Sequence, residues 1–217
     1  MARTDRTIRW TVPTLAALAF LAVPALASAG PGYVNFMLGQ KLFDSDHWDP
    51  IDKQTAFGAE GVFGPATWPV SLDAYLSRAS KSKDVSFDDG SGGTIDGTAD
   101  ATTYEFGFGV NKTWQRKKFY PYLNAGAMMA KIDVTFHQSG TSASDDDKGL
   151  GFWGGGGAFY RIGTTFNLGG AVRYSSADVD FNAFTTTIGS IPFEGASVPA
   201  GGLTFGVLLG WGWPKTP

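Results

Sequence analysis

The closing segment, "GGLTFGVLLGWGWPKTP", constrains the fold more tightly than any other stretch of the chain. Every second residue from Leu203 is large and apolar: Leu203, Phe205, Val207, Leu209, Trp211 and Trp213. Between them lie Thr204, Gly206, Leu208, Gly210 and Gly212. Side chains of a strand alternate between its two faces, so one face here is bulky and the other nearly bare. A strand in a water-soluble barrel turns its apolar face inward and a charged face outward, and water-facing surfaces are typically about a quarter to a third charged. The bare face of this chain carries Gly, Ser, Thr, Ala and Asn with few charges, which is too little for a solvated exterior. It suits the inside of a narrow barrel, where about eight strands leave room only for side chains. The apolar rows must then face outward, into hydrocarbon.

Seven earlier segments resemble the last one. They are expected at about 33–43, 55–63, 69–78, 102–114, 119–136, 149–161 and 165–176, with the eighth at 203–213. The outward sets are Val34, Phe36, Leu38 and Leu42; Phe57, Ala59 and Phe63; Val70, Leu72, Ala74 and Leu76; Tyr104, Phe106, Phe108 and Val110; and Leu168, Val172 and Tyr174. In the fifth and sixth strands, "AGAMMAKI" and "GFWGGGGAFY" permit either phase, or a bulge. Long polar connections follow strands one, three, five and seven, and short turns ("GPATW", "QRKK", "RIGT") follow two, four and six. The expected fold is all-β: an eight-stranded antiparallel up-and-down transmembrane β-barrel with every long loop at one end and both termini at the other.

Residues 1–29 read as a cleavable signal peptide ahead of a barrel domain at 30–217. Arg3, Arg6 and Arg9 precede the apolar "TVPTLAALAFLAVPAL", and "ASA" supplies small residues before Gly30. Without that segment the chain keeps 14 basic and 19 acidic side chains, a mild acidity that argues against a nucleic-acid partner. It has no cysteine, hence no disulfide, zinc thiolate or thiol nucleophile. "DSDHWDPID" and "DDGSGGTIDG" are oxygen-rich but lack EF-hand spacing, so no metal site is assigned, and no cofactor is expected.

Aromatic residues gather at the short-turn end. Tyr33, Trp68, Trp114, Tyr120, Tyr122, Tyr160, Trp211 and Trp213 are expected to form one girdle at a membrane interface. Charge is sorted too: the long loops are rich in Asp, and the short turns hold Arg116, Lys117, Lys118 and Arg161. Acidic loops of this kind are ordinarily solvated faces, and sharing divalent cations with a phosphate-bearing outer leaflet is the alternative reading. The lumen should receive Lys41, Glu60, Asp73, Glu105 and Arg173, with Lys131 a further candidate. Buried charges must pair, so these predict an internal salt-bridge network that plugs the barrel.

The signal segment, the eight-strand pattern, "PYLNAGA", "NLGGAVRYS" and the closing aromatic strand resemble the small OmpA/OmpX-like outer-membrane β-barrels of Gram-negative bacteria. The resemblance spans Gly30 to Trp213. It implies an outer-membrane location with extracellular loops and periplasmic termini, and contact with outer-membrane lipids and lipopolysaccharide. It also implies recognition of a terminal aromatic by the barrel-assembly machinery. Trp213 would be that aromatic, although "PKTP" follows it here. Family members include adhesins, anchors and enzymes, so fold alone does not name the role. The expectation is a non-enzymatic structural or surface-interaction protein whose extracellular ligand the sequence does not specify. A narrow solute channel is one alternative. Another is a lipid A deacylase-like enzyme, in which His137 of "HQSG" would activate Ser139.

Overall fold

The computed structural model describes residues 31–43, 51–65, 67–88, 94–138, 141–180 and 197–213. They form nine strands and, among the described residues, no helix: β1 (Gly32–Leu42), β2 (Lys53–Phe63), β3 (Ser71–Asp88), β4 (Thr94–Thr113), β5 (Phe119–Gln138), β6 (Thr141–Ile162), β7 (Phe166–Asp180), β8 (Ser197–Pro199) and β9 (Gly202–Trp213). Strands β1 to β7 pair antiparallel in sequence order, each with the next, and β9 pairs with both β7 and β1, which closes the ring. The ring therefore has eight strands. The three-residue β8 lies outside it, paired with the Asp178–Asp180 end of β7. The expected signal segment lies outside the described residues.

The registers fix the width of the barrel. Followed once around the ring, Gly32 pairs with Phe63, then Leu72, Val110, Ala125, Gly154, Tyr174 and Leu203, and the path returns to β1 at Leu42. The stagger between Gly32 and Leu42 is ten residues. For eight strands it requires a tilt of about 40° and a backbone cylinder about 8 Å in radius. Such a cylinder holds side chains and nothing wider. The local glycines follow from that limit. A Cβ on Gly107 would lie 2.0 Å from the Tyr75 ring, which with Trp153 crosses the lumen there.

Burial alternates as the closing segment demands. Along β9, Val207 is 55% exposed and Leu208 only 2%. The outward rows on every ring strand are apolar and exposed, among them Leu38, Phe57, Leu76, Phe106, Phe108, Val172 and Phe205. Strands five and six resolve into single phases. Tyr122, Asn124, Met128, Ala130 and Ile132 point inward from β5, and Trp153, Phe159 and Arg161 from β6. Their pairing runs from Phe119↔Tyr160 to Gln138↔Thr141 without a break, so no bulge is needed.

Four strands are longer than the apolar alternation suggests. The stretches expected as loops after strands three and five are largely strand, with β3 continuing to Asp88, β4 beginning at Thr94, β5 ending at Gln138 and β6 beginning at Thr141. The apolar signal ends where the hydrocarbon would end. Backbone pairing does not need hydrocarbon, and Ser/Thr-rich segments sustain it in water. β3 to β6 therefore rise beyond the rim as one four-stranded sheet.

The outward orientation of the apolar rows has a measurable consequence. Val207 sits midway up the belt, so Val207→Arg should destabilise the barrel in lipid vesicles by about 2–4 kcal/mol, as read by urea unfolding. Tyr160→Arg, at the short-turn rim, should cost no more than about 1 kcal/mol. Equal costs at both positions would contradict a lipid-facing belt.

Candidate functional site

Among the described residues, the inward face carries two apolar clusters and a set of buried polar side chains. At the short-turn end Tyr33, Met37, Val62, Tyr122, Phe159 and Leu208 pack together. Toward the long hairpins, Phe43, Ile51, Tyr75, Met128, Ile132 and Trp153 form the second cluster with several alanines. Aromatic edges meet across the barrel: Tyr33 contacts Phe159 at 5.0 Å between ring centroids, and Tyr75 contacts Trp153 at 4.8 Å.

All five residues expected in the lumen, Lys41, Glu60, Asp73, Glu105 and Arg173, are buried. They come from β1, β2, β3, β4 and β7, so the network ties distant parts of the chain together. Lys41 pairs with Glu105, which also accepts hydrogen bonds from Ser77 (3.1 Å) and Ser175 (2.7 Å). Arg173 pairs with Glu60, and its guanidinium lies 3.8 Å from the centroid of Tyr75. Asn124 joins the second pair to the remaining carboxylate, donating to Glu60 at 3.3 Å and to Asp73 at 2.9 Å. Asn111 donates to Asp73 (3.3 Å) and to the Tyr33 hydroxyl (3.0 Å). Charges taken out of water need this kind of dense partnering.

Three sequence expectations change here. Arg161 is not a turn residue. It ends the inward row of β6, is buried, donates to Asn167 at 3.0 Å and stacks 4.4 Å from the Tyr120 ring centroid. Its place depends on a glycine, since a Cβ on Gly212 would sit 1.9 Å from its guanidinium. The bare face of the last strand is thus space used by a side chain from β6, two strands away around the ring. Among the described residues the buried charges then balance, three cations (Lys41, Arg161, Arg173) against three carboxylates (Glu60, Asp73, Glu105).

Lys131 does not enter the lumen. It shares the outward face with Met129, and its ammonium lies 2.7 Å from Asp133. Charge suggested an interior position, but the phase of β5, fixed by Asn124 and Met128 pointing inward, excludes it. The aromatic girdle also divides. Trp68, Trp114, Tyr160 and Trp211 are exposed on the outer wall, and Trp213 is half-buried at its edge. Tyr33 and Tyr122 are only 4% and 3% exposed and belong to the interior, as does Tyr120, stacked on Phe159 at 5.1 Å. Position along the strand put these tyrosines at the rim. Strand phase, which their neighbours reveal, decides which way they face.

His137 lies near the tip of the protruding sheet, exposed, with Nε2 3.5 Å from Asp100 Oδ2. Ser139, its expected partner, lies outside the described residues. Below the tip, the sheet has two open edges among the described residues. β3 pairs with β2 only as far as Ser80, and β6 pairs with β7 only from Gly151. Among the described residues, Lys81–Asp88 pairs as a strand with β4 and Thr141–Leu150 with β5, and neither stretch borders a further described strand.

The sequence matches the family model described as "Outer membrane protein beta-barrel domain" over residues 14–190. No curated protein matches the chain. Among solved structures, the outer membrane protein OprG from Pseudomonas aeruginosa aligns at 15% identity over 86% of this chain and 97% of that chain, with a TM-score of 0.51. Ail, the attachment invasion locus protein of Yersinia pestis, aligns at 13% identity over 85% of this chain and 98% of that chain, with a TM-score of 0.48. At such identities the likeness to OprG is one of fold.

The lumen network makes a two-step prediction. Glu105→Ala leaves Lys41 buried without its partner and should lower unfolding stability by about 3–5 kcal/mol. Lys41→Met combined with Glu105→Leu removes both charges and should restore most of that loss, as read from denaturant titration of the heat-modifiable band on gels.

Proposed function

The chain belongs to the outer membrane protein beta-barrel domain family, and from that premise we propose that it is a non-conducting outer-membrane anchor that presents a four-stranded sheet outside the cell. The observation that carries this reading is the extension of β3–β6 beyond the rim, where Lys81–Asp88 and Thr141–Leu150 border no further strand among the described residues. An unpaired strand edge offers a row of N–H and C=O groups, and an extended segment of a partner can add to it as a further strand. Lys81 and Lys83 on the β3 edge keep it from pairing indiscriminately, as edge lysines generally do. The tightly filled lumen supports an anchoring role over transport. Its side chains would have to move together to admit even a small solute.

The proposed orientation places the long hairpins outside and the short turns in the periplasm. Trp68, Trp114, Tyr160 and Trp211 then sit at the inner interface, where amphipathic rings are favoured. Outer-leaflet lipids contact the upper belt. The barrel-assembly machinery would insert the chain, with Trp213 near the end of the last strand as the aromatic it reads.

Two measurements test the reading. The chain has no native cysteine, so Ser82→Cys and Lys117→Cys each give a single thiol. A membrane-impermeant maleimide should label Ser82→Cys in intact cells and Lys117→Cys only after the outer membrane is permeabilised; the reverse pattern refutes the orientation. Replacing residues 83–99 with an Asn-Gly turn should leave the barrel heat-modifiable. It should also return the aggregation and cell-layer adhesion of displaying cells to the level of cells without the protein. Adhesion unchanged by the trimming would refute the docking role.

A further inference from the structure

Outside the lumen and the sheet edges, one arrangement on the outer wall is left unexplained. The registers place Arg78, Tyr104, Lys131 and Lys148 side by side across β3, β4, β5 and β6. All four point outward. Two residues closer to the barrel, the same face carries Leu76, Phe106, Met129 and Leu150, every one exposed and apolar. Two residues further out, the register carries Ser80, Thr102, Asp133 and Asp146, so the cations are bordered above by two acidic positions on β5 and β6 and below by apolar ones. A row of three cations thus lies directly on the line where the apolar belt stops. It spans three strand spacings, about 14 Å. Because the strands tilt, the row climbs across the boundary, with Arg78 reaching up from the belt and Lys148 above it. Long cationic side chains are suited to such reaching, their stems on apolar surface and their heads in water. The Arg78 guanidinium lies 5.8 Å from the Tyr104 ring centroid, which steers it along the row. Lys131 is partly compensated by Asp133 at 2.7 Å.

Below this row the outer wall is grooved. The open cavity there is about 540 Å³, with Leu123, Val172, Tyr174 and Leu203 along its sides and Gly154 and Gly156 in its floor. The groove continues the outward column of β6 that starts at Lys148 and runs through Leu150 and Phe152. From Lys148 to Gly154 is six residues, about 20 Å along the strand. An acyl chain hanging from a headgroup at Lys148 reaches into the groove over that length.

We propose that this wall is a binding site for a phosphate-bearing outer-leaflet glycolipid of the lipopolysaccharide class, its phosphates on Arg78, Lys131 and Lys148 and an acyl chain in the groove below. Charge complementarity selects an anionic headgroup, and the site's position on the apolar boundary selects one attached to a lipid. A soluble phosphate would have no use for the groove, and a neutral lipid none for the cations. The span of the row fits a headgroup with phosphates at both ends better than one with a single phosphate. The assignment to the outer leaflet rests on the orientation proposed above, whereas the binding itself does not.

The test uses the full barrel purified in detergent and native mass spectrometry to count barrels that retain lipid. Lipopolysaccharide, its dephosphorylated form and phosphatidylglycerol are supplied in parallel, with inorganic phosphate as competitor. The wild type should retain lipopolysaccharide best, and inorganic phosphate should not displace it. Arg78→Gln with Lys148→Gln should weaken retention about tenfold or more, since each surface cation contributes several-fold. Gly154→Leu should weaken it separately by filling the groove. It is expected to fold, because an added Cβ there meets nothing closer than 3.8 Å. Lys117→Gln with Lys118→Gln, at the opposite rim, should change nothing. Heat-modifiable migration establishes that each variant is folded. Equal retention by the Arg78/Lys148 variant, or equal retention of the dephosphorylated lipid, overturns the proposal. If phosphatidylglycerol is retained best, the glycolipid assignment is wrong. Because the measurement is made in detergent, a failed surface-labelling result would sink the orientation and leave this result standing.

Discussion

Backbone hydrogen bonding in a medium without water is the constraint from which the rest follows. In hydrocarbon each unpaired N–H or C=O costs several kcal/mol, so a sheet can cross only if it has no edge. Here β9 removes both edges by pairing with β1 and β7. Closure at eight strands with a ten-residue stagger, from Gly32 to Leu42, then sets a lumen about 8 Å in backbone radius. A space that narrow must be packed, and packing it requires both large side chains and glycines that leave room for them. Tyr75 over Gly107 and Arg161 over Gly212 are two cases of one rule.

The same closure explains why the interior carries charge. Polar residues on the inner face keep the chain from being apolar on both sides, but buried charges are costly unless paired. The lumen pairs two of its carboxylates directly, Lys41–Glu105 and Arg173–Glu60, and gives the third, Asp73, hydrogen bonds from Asn111 and Asn124. The pairs link β1 to β4 and β2 to β7, strands that do not adjoin in the ring. They therefore brace the cylinder across its diameter, which wall hydrogen bonds cannot do. Beyond the rim the constraint relaxes. In water a backbone edge need not be closed by another strand, so β3–β6 can continue past the ring as a sheet, and this freedom underlies the proposed surface role.

Much of this was legible in the chain. Alternation alone placed the ring strands and the outward rows, because lipid on one side and a crowded lumen on the other leave a strong period of two. Glu60, Asp73, Glu105 and Arg173 could be assigned inward since each has apolar neighbours of the opposite phase. Where both faces hold small residues, as in "AGAMMAKI" and "GFWGGGGAFY", the phase was silent. It took the inward Asn124 and Trp153 to set it. Tyr33 and Tyr122 were misplaced because an amphipathic ring suits either a membrane interface or a polar lumen. Arg161 looked like a turn cation because its partners, Asn167 and Gly212, are far from it in the reading of a single strand. The protruding sheet was hidden for a different reason: outside the membrane, pairing needs no apolar pattern.

The account stands on the phase of the wall, and a spin-label scan of β9 in lipid vesicles measures it directly. Single cysteines from Leu203 to Trp211, each carrying a nitroxide, report collisions with oxygen, which partitions into hydrocarbon, and with a water-soluble nickel chelate. The account predicts high oxygen and low nickel accessibility at Leu203, Phe205, Val207, Leu209 and Trp211, deepest near Val207, with both reagents weak at Thr204, Gly206, Leu208 and Gly210. Nickel reaching the odd-numbered positions, or oxygen favouring the even-numbered ones, would contradict it.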